Sequence, residues 1–422
     1  MDGHLHNGVV VVGGNARQQF HDARGYGRPA GGNEIHLARV EAAHLLLRGD
    51  LTAVVDHDGT TDNHDGETDN HDGTDGHDAV DGDRLSFEEF FVASATAANR
   101  FALRFLVYAD LRDRGFYLTP ARADWPGVDA IASGVGAVDG ADAADGGNGT
   151  DGDLIDLIVP PRGTKPGDDE PAYRIAVVGE RASIPADELA NLTLAVVDEE
   201  SEISYLETTL PAFDGGTTYS PPAGITGSLI GDRVVVWDAP EGVYDHGFYG
   251  QPLEAREAII DHAVQLSLVE AAALTAAGQL VLDDVDDDQA AATTPTTAEG
   301  AADMMPQSSA SYTAIREQGR RVEGERFDRR LAVYRRLRQQ DVVPKTGYKF
   351  GADFRTYNTI KSVEDLPHSE RLVRVVETDH EFDPRELSLD VRLAGGVRKR
   401  MVFALTGANG EIDWLSVSRL TP

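Results

Sequence analysis

The chain has 422 residues, no cysteine and a formal net charge of −34. This length suffices for two to four domains with buried cores, and the lack of cysteine excludes disulfides and thiolate metal sites. The N-terminus shows no signal-like progression, and no apolar run approaches the ~20 residues of a membrane span, so a soluble cytoplasmic protein without a membrane partner is expected.

Such acidity opposes binding to nucleic acid, because affinity for a phosphate backbone comes chiefly from Lys and Arg. The charge is unevenly spread, however. Residues 311–422 carry 21 Lys+Arg against 17 Asp+Glu, which leaves 17 against 55 for residues 1–310. The C-terminal part is therefore locally basic inside an acidic protein, and binding to nucleic acid stays open there. Sparse lysine, abundant aspartate and an arginine bias fit a halophilic, high-salt cytoplasm, where acidic surfaces keep chains hydrated.

In chain order, residues 8–13 (GVVVVG) read as a strand and residues 25–29 (GYGRP) as a turn. A helix is expected over residues 35–51, from Leu37, Val40, Leu45 and Leu47 at helical spacing, with Gly49 at its end. Gly13-Gly14 after a valine strand lacks the third glycine of a dinucleotide fingerprint and carries no such reading. Residues 100–119 form a further expected helix, with Phe101, Phe105, Tyr108 and Leu111 on one side. Residues 195–206 read as two strands around a turn.

The second half repeats this plan. Residues 234–237 (VVVW) are a strand, residues 248–252 (FYGQP) a turn, and residues 268–274 (LVEAAAL) answer residues 40–45, with Gly278 closing where Gly49 did. Residues 329–345 answer the helix of 100–119 and run into a proline-stopped turn, and residues 404–415 answer 195–206. A period of ~210–230 residues indicates a duplicated module and not a solenoid. The expected fold class is α/β (α+β), a tandem duplication in which each half holds a small α/β N-terminal unit and a restriction-nuclease-like α/β unit.

Three polar insertions interrupt the plan, at residues 56–83, 137–153 and 283–302. Their apolar content is too low to offset the cost of ordering, and mobile surface loops are expected. The first contains DNHDG twice, at residues 62–66 and 69–73. That His/Asp repeat offers metal donors but lacks the glycine position and terminal glutamate of an EF-hand, so a solvated acidic loop is the reading. No cofactor is expected. The units are then 1–55, the insertion 56–83, 84–210, 211–282, the acidic linker 283–310, and 311–422.

The chemistry gathers near the C-terminus. Residues 347–357 read GYKFGADFRTY, His368-Ser369 follows, and residues 391–400 read VRLAGGVRKR. Taken singly, Tyr357 reads as a core-edge tyrosine, His368 as one loop histidine of 13 in the chain, and Lys399 as part of a solvated basic face. Together they supply a phenol, an imidazole and an ammonium, which can move protons and hold a phosphate without a metal.

This run resembles the catalytic domain of archaeal tRNA-splicing endonucleases, whose pattern is G-x-K-[FY]-G-x-D-F-x-x-Y, a following H-S and a basic V-[RK]-K segment. The resemblance is strong over residues 325–422 and extends to the remainder through the duplicated plan. It implies a homodimer of two-repeat chains acting on precursor tRNA at bulge-helix-bulge sites, with 2′,3′-cyclic phosphate and 5′-hydroxyl products. It assigns Tyr357 to activating the 2′-hydroxyl, His368 to protonating the leaving oxygen and Lys399 to the phosphorane, with the first two roles exchangeable. Arg392 and Trp414 occupy the places where the family holds a flipped bulge base, and an Arg–Trp pair offers faces suited to stacking.

The duplication supplies an internal comparison, since matching the halves puts Pro160, Glu170 and Ala190 opposite Tyr357, His368 and Lys399. The first half keeps the scaffold without the chemistry. Two other classes remain at this point. A non-catalytic RNA-binding protein would need only the basic patch and stacking groups, and a metal-dependent nuclease would need gathered carboxylates, for which Asp353 and Glu370 are the local candidates.

Overall fold

A computed structural model describes residues 1–58, 82–128, 154–253, 262–285 and 309–422. The DNHDG repeats and most of the three insertions lie outside these residues. Among the described residues the fold is mixed α/β, and no helix is long and apolar enough to cross a membrane.

A ten-stranded sheet spans both halves. From one edge its strands are Val343–Thr346, Phe354–Tyr357, Arg371–Glu377, Arg400–Thr406 and Ile412–Leu420, then Ile203–Thr209, Thr193–Val197, Tyr173–Gly179, Leu157–Val159 and Thr119–Pro120. The order reads the same from either edge. In each half one neighbouring pair is parallel, Arg371–Glu377 with Arg400–Thr406 and Tyr173–Gly179 with Thr193–Val197, and the two halves join through the antiparallel pair Ile203–Thr209 and Ile412–Leu420. A second, short pair, Ile184–Pro185 with Glu381–Phe382, also joins them.

The inner strands bury apolar runs, most completely in the two that pair in parallel within each half, TLAVV at 193–197 and MVFAL at 401–405. Thr193–Val197 and residues 401–406 are buried throughout, as a sheet covered on both faces requires. On one face, the helix Arg326–Gln339 presents Leu331, Tyr334 and Leu337, and Phe101–Asp113 presents Phe105, Tyr108 and Leu111, all buried at helical spacing. On the other, the helix Pro384–Gly396 lays Leu387, Val391 and Ala394 against Phe403, Leu415 and Val417. Full burial of such a side chain contributes about 1.5–3 kcal/mol.

Each half also carries a smaller sheet with one helix, Arg39–Leu47 in the first and Leu268–Ala276 in the second. Both dock onto the large sheet through a similar buried network. Arg112 donates to the Tyr108 hydroxyl at 3.0 Å and lies 3.9 Å from the Tyr26 ring, while Glu41 accepts from the Gly27 N–H at 2.7 Å. In the second half Arg338 donates to Tyr334 at 3.1 Å and lies 3.8 Å from Tyr249, while Glu270 accepts from the Gly250 N–H at 3.0 Å.

Five expectations need correction: the turn read at residues 25–29 runs into the strand Arg28–Gly31, the helix read at 100–119 stops at Asp113, and three others differ as follows. Residues 35–38 belong to a strand, Glu34–Ala38, paired with Val9–Val12, and the helix starts only at Arg39. Ile35 and Leu37 alternate inward at period two, and the Glu41 carboxylate accepts from the Ala38 N–H at 2.9 Å, which opens the helix there. Leu47 is 53% exposed and outside the core. The segment after the helix of the second half is not a proline-stopped turn but the edge strand Val343–Thr346, where a proline is tolerated. Gln251–Pro252, read as part of a turn, is a short strand beside Val264–Ser267.

Candidate active site

The glycine-marked segment turns sharply before its strand. Gly351 has φ +68°, and a Cβ on Gly347 would lie 2.7 Å from the Ala352 carbonyl oxygen, so neither place suits a larger residue. Asp353 is buried and fixes the turn by accepting from the Val375 N–H at 2.8 Å and from Arg326 at 2.6 Å, with Arg330 3.0 Å away. The strand Phe354–Tyr357 then alternates. Phe354 packs toward Tyr334, and Arg355 and Tyr357 share the other face.

Backbone bonds bring three strand ends together. The Glu370 N–H donates to the Thr356 carbonyl at 3.0 Å, and the Arg400 N–H donates to the Glu370 carbonyl at 3.1 Å. Tyr357, Ser369 and Lys399 each adjoin one of these linked residues, and His368 precedes Ser369. Residues 347–400 are thus folded so that groups 42 positions apart in the chain share one end of the sheet.

Tyr357 is 5% exposed and packs in edge contact with Phe248 at 5.6 Å, beside Val343 and Ile360. Its hydroxyl makes no hydrogen bond among the described residues. His368 is exposed, on a loop that is itself anchored: the Val363 N–H donates to the Asp245 carbonyl, His246 Nδ1 donates to the Lys361 carbonyl and the Ile360 N–H donates to Thr217 Oγ1, all at 2.8 Å. Lys399 donates to the Ser369 carbonyl at 2.7 Å and lies 5.5 Å from the Phe350 ring. Partial burial, and then the charge of Arg355, hold its ammonium pKa below the usual lysine range.

Arg392 is exposed on the helix Pro384–Gly396. Trp414 is half-buried on the opposite face of the sheet, its ring 4.5 Å from that of Phe213, which Arg371 also covers at 4.5 Å. The fold does not bring Arg392 and Trp414 together within one chain. The carboxylates weighed for a metal are engaged otherwise: Asp353 faces two arginines, and Glu370 accepts from Asn358 Nδ2 at 2.6 Å. Among the described residues no group of three or more His, Asp or Glu is placed to hold a metal ion.

Sequence reasoning missed Arg355 and Phe248. Arg355 could have been found from strand alternation, since it stands two residues before Tyr357. Phe248 comes from the small unit of the second half, 109 positions away, and no local pattern signals that contact.

An imidazole, a phenol and an ammonium on adjacent strand ends, with a guanidinium beside them, are groups of the kind that proton transfer on an anionic substrate uses. Comparisons with known proteins give the family. The model of the tRNA intron endonuclease catalytic C-terminal domain matches residues 327–414, and that of the N-terminal domain matches twice, at residues 1–64 and 225–291. The chain is 46% identical over 422 residues to the tRNA-splicing endonuclease of Haloferax volcanii and 47% identical over 427 to that of Halobacterium salinarum, covering 100% of each chain in both cases. It is 30% identical over 426 residues to that of Methanococcoides burtonii, covering 97% of each. The chain belongs to the tRNA-splicing endonuclease family.

Proposed function

We propose that the chain cuts introns from precursor tRNA at bulge-helix-bulge sites by 2′-hydroxyl attack, using Tyr357, His368 and Lys399. Membership of the family makes it an endonuclease of tRNA splicing. The observation that carries the chemical reading is the Thr356–Glu370–Arg400 backbone linkage, which gathers three proton-handling or cationic side chains at one sheet end.

The step balances without an added reactant. A base removes the 2′-hydroxyl proton, the 2′-oxygen bonds to phosphorus, the bond from phosphorus to the 5′-oxygen breaks, and an acid protonates that oxygen. The ends are then a 2′,3′-cyclic phosphate and a 5′-hydroxyl. Tyr357 lies beside the Arg355 guanidinium, and His368 is exposed at a loop where a leaving oxygen can reach it. Lys399 supplies positive charge to the phosphorane. Arg392 and Trp414, on opposite faces, would touch the RNA separately and not as two sides of one clamp within a chain.

We further infer that the chain is a tandem duplication whose first half is structural. The palindromic strand order and the two matches to the N-terminal domain support this. So does the pairing across the join, where Thr208 faces Val417, and Ile184 faces Phe382. The matching of Pro160 to Tyr357 has its own support, because Asp156 accepts from the Val177 N–H and from Arg100 as Asp353 does from Val375 and Arg326. Two such chains would form the homodimer and present two active sites, one for each end of an intron.

The test is cleavage of a bulge-helix-bulge RNA in excess chelator. The native chain is expected to cut and leave cyclic phosphate ends, and His368→Ala to lose about 10²-fold or more in rate while still binding RNA. Cleavage by His368→Ala at the native rate, or a native chain that stops in chelator, would overturn the reading.

A further inference from the structure

We propose that Arg355 is a fourth catalytic residue, a second cation that holds a non-bridging oxygen of the scissile phosphate together with Lys399. The inference rests on the reading of Tyr357, His368 and Lys399 given above.

Position is the first argument. Arg355 lies on the same face of its strand as Tyr357, with its guanidinium carbon 5.8 Å from the phenol ring. It is close enough to Lys399 and to Lys345 to disfavour the charged form of both. Three cations therefore face one region.

The second argument is what they pair with. Lys345 donates to the Glu270 carboxylate at 2.7 Å, and the neighbouring arginines are also engaged: Arg326 and Arg330 with Asp353, Arg374 with Asp390. Among the described residues no carboxylate lies within 4 Å of Arg355 or Lys399, and Arg355 Nε is buried without a hydrogen-bond partner. Two cations held close together, half-buried and lacking a counter-ion, repel each other until an anion lies between them. A phosphate oxygen satisfies both, and guanidinium suits it because its fork matches phosphate geometry.

Comparison of the halves supplies the third argument. With Asp156 matched to Asp353, the place of Arg355 is taken by Ile158, fully buried in the strand Leu157–Val159. A guanidinium is thus not needed to build this strand. It is present in the half that has the phenol, imidazole and ammonium, and replaced by an aliphatic core residue in the other.

Arg355 moves no proton in this scheme. Its contribution grows as negative charge accumulates on the equatorial oxygens, so it acts on the rate at saturation more than on RNA affinity. The test uses the full-length chain, a bulge-helix-bulge RNA and single-turnover conditions, with His368→Ala in parallel. Arg355→Gln is expected to lower the saturating rate about 10²–10³-fold with RNA affinity changed less than about threefold and thermal stability retained. Millimolar guanidinium ion, against sodium at equal ionic strength, is expected to raise the rate of Arg355→Ala about tenfold or more and leave His368→Ala inactive.

An Arg355→Gln rate within about threefold of native, or a loss confined to RNA affinity, overturns the proposal. A rate loss that tracks a fall in melting temperature, without rescue by guanidinium, overturns it in favour of a packing role. If Arg355→Gln cuts normally while His368→Ala is inactive, only Arg355 is misassigned. If both cut, the underlying active-site reading is the one at fault.

Discussion

The packing of Tyr357 and its proposed part in proton transfer can be separated by substitution. Its ring packs against Phe248, Val343 and Ile360, and its hydroxyl makes no hydrogen bond among the described residues, so Tyr357→Phe should fold with a melting point close to native while cleavage falls about 10²-fold or more. Loss of folding together with loss of cleavage would mean the hydroxyl is structural. Lys399 gives a pH prediction. Burial and the Arg355 charge lower its folded pKa below the unfolded value, so the unfolded chain binds more protons between the two, and stability rises with pH across that interval. For the proposed role of Lys399 at the phosphorane, the same shift means that its ammonium is neutralised at a lower pH than free lysine. The alkaline limb of the pH–rate profile should therefore move upward in Arg355→Gln.

At the scale of elements, each small unit docks through one buried glutamate at the start of its helix, and the two carboxylates differ in their third partner. Glu41 accepts from the Trp125 indole N–H at 3.1 Å, whereas Glu270 accepts from the Lys345 ammonium at 2.7 Å. Burial pushes the Glu41 pKa up. Burial also opposes the charge on Glu270, but Lys345 and two backbone N–H groups outweigh it and bring its pKa down to about 2. The pH dependences are opposite in sign. The Glu270 contribution is present above the ordinary value near 4.5 and is lost as pH falls toward 2; the Glu41 contribution is present below 4.5 and declines as pH rises through its raised folded value. At neutral pH, Glu270→Gln should cost about 3–5 kcal/mol, because it leaves Lys345 buried and unpaired. Glu41→Gln should cost about 1–3 kcal/mol, the loss of a hydrogen bond. Denaturant unfolding of both variants checks the order, and equal costs would show that Lys345 contributes nothing special.

At the scale of the molecule, the halves share one sheet and are not two beads on a tether. The segment between them is packed: Gly215 and Thr217 donate to the Gln340 and Asp341 carbonyls at 2.8 and 3.0 Å, and a Cβ on Gly215 would lie 2.1 Å from the Asp341 oxygen. Residues 216–422 expressed alone would bare the long strand Ile412–Leu420, with the partner Ile203–Thr209 removed. Such an edge invites pairing with another chain. The fragment should self-associate in light scattering and cleave poorly, and co-expression with residues 1–215 should restore a defined particle and activity. A monomeric, fully active fragment would show that the shared sheet is dispensable.

The amino-acid order by itself determined the local features of this protein: the Gly347–Tyr357 signature, the helices read within 100–119, 268–274 and 329–345, whose observed bounds are 101–113, 268–276 and 326–339, and the strand pairs near 195–206 and 404–415, all set by periodicity and turn chemistry within a few residues. It also carries a repeated apolar pattern, whose matching puts Pro160, Glu170 and Ala190 opposite Tyr357, His368 and Lys399. The start of the first helix is ambiguous in sequence because Leu37 fits both helical spacing with Val40 and alternation with Ile35, and only the partner strand Val9–Val12 selects the second. Tertiary structure alone decided that the halves join edge to edge, that Phe248 and the loop at 358–370 frame Tyr357, that Trp414 and Arg392 lie on opposite faces, and that Arg355 has no counter-ion among the described residues. Each of these depends on contacts between residues far apart in the chain, where packing and charge pairing, and not local propensity, set the outcome.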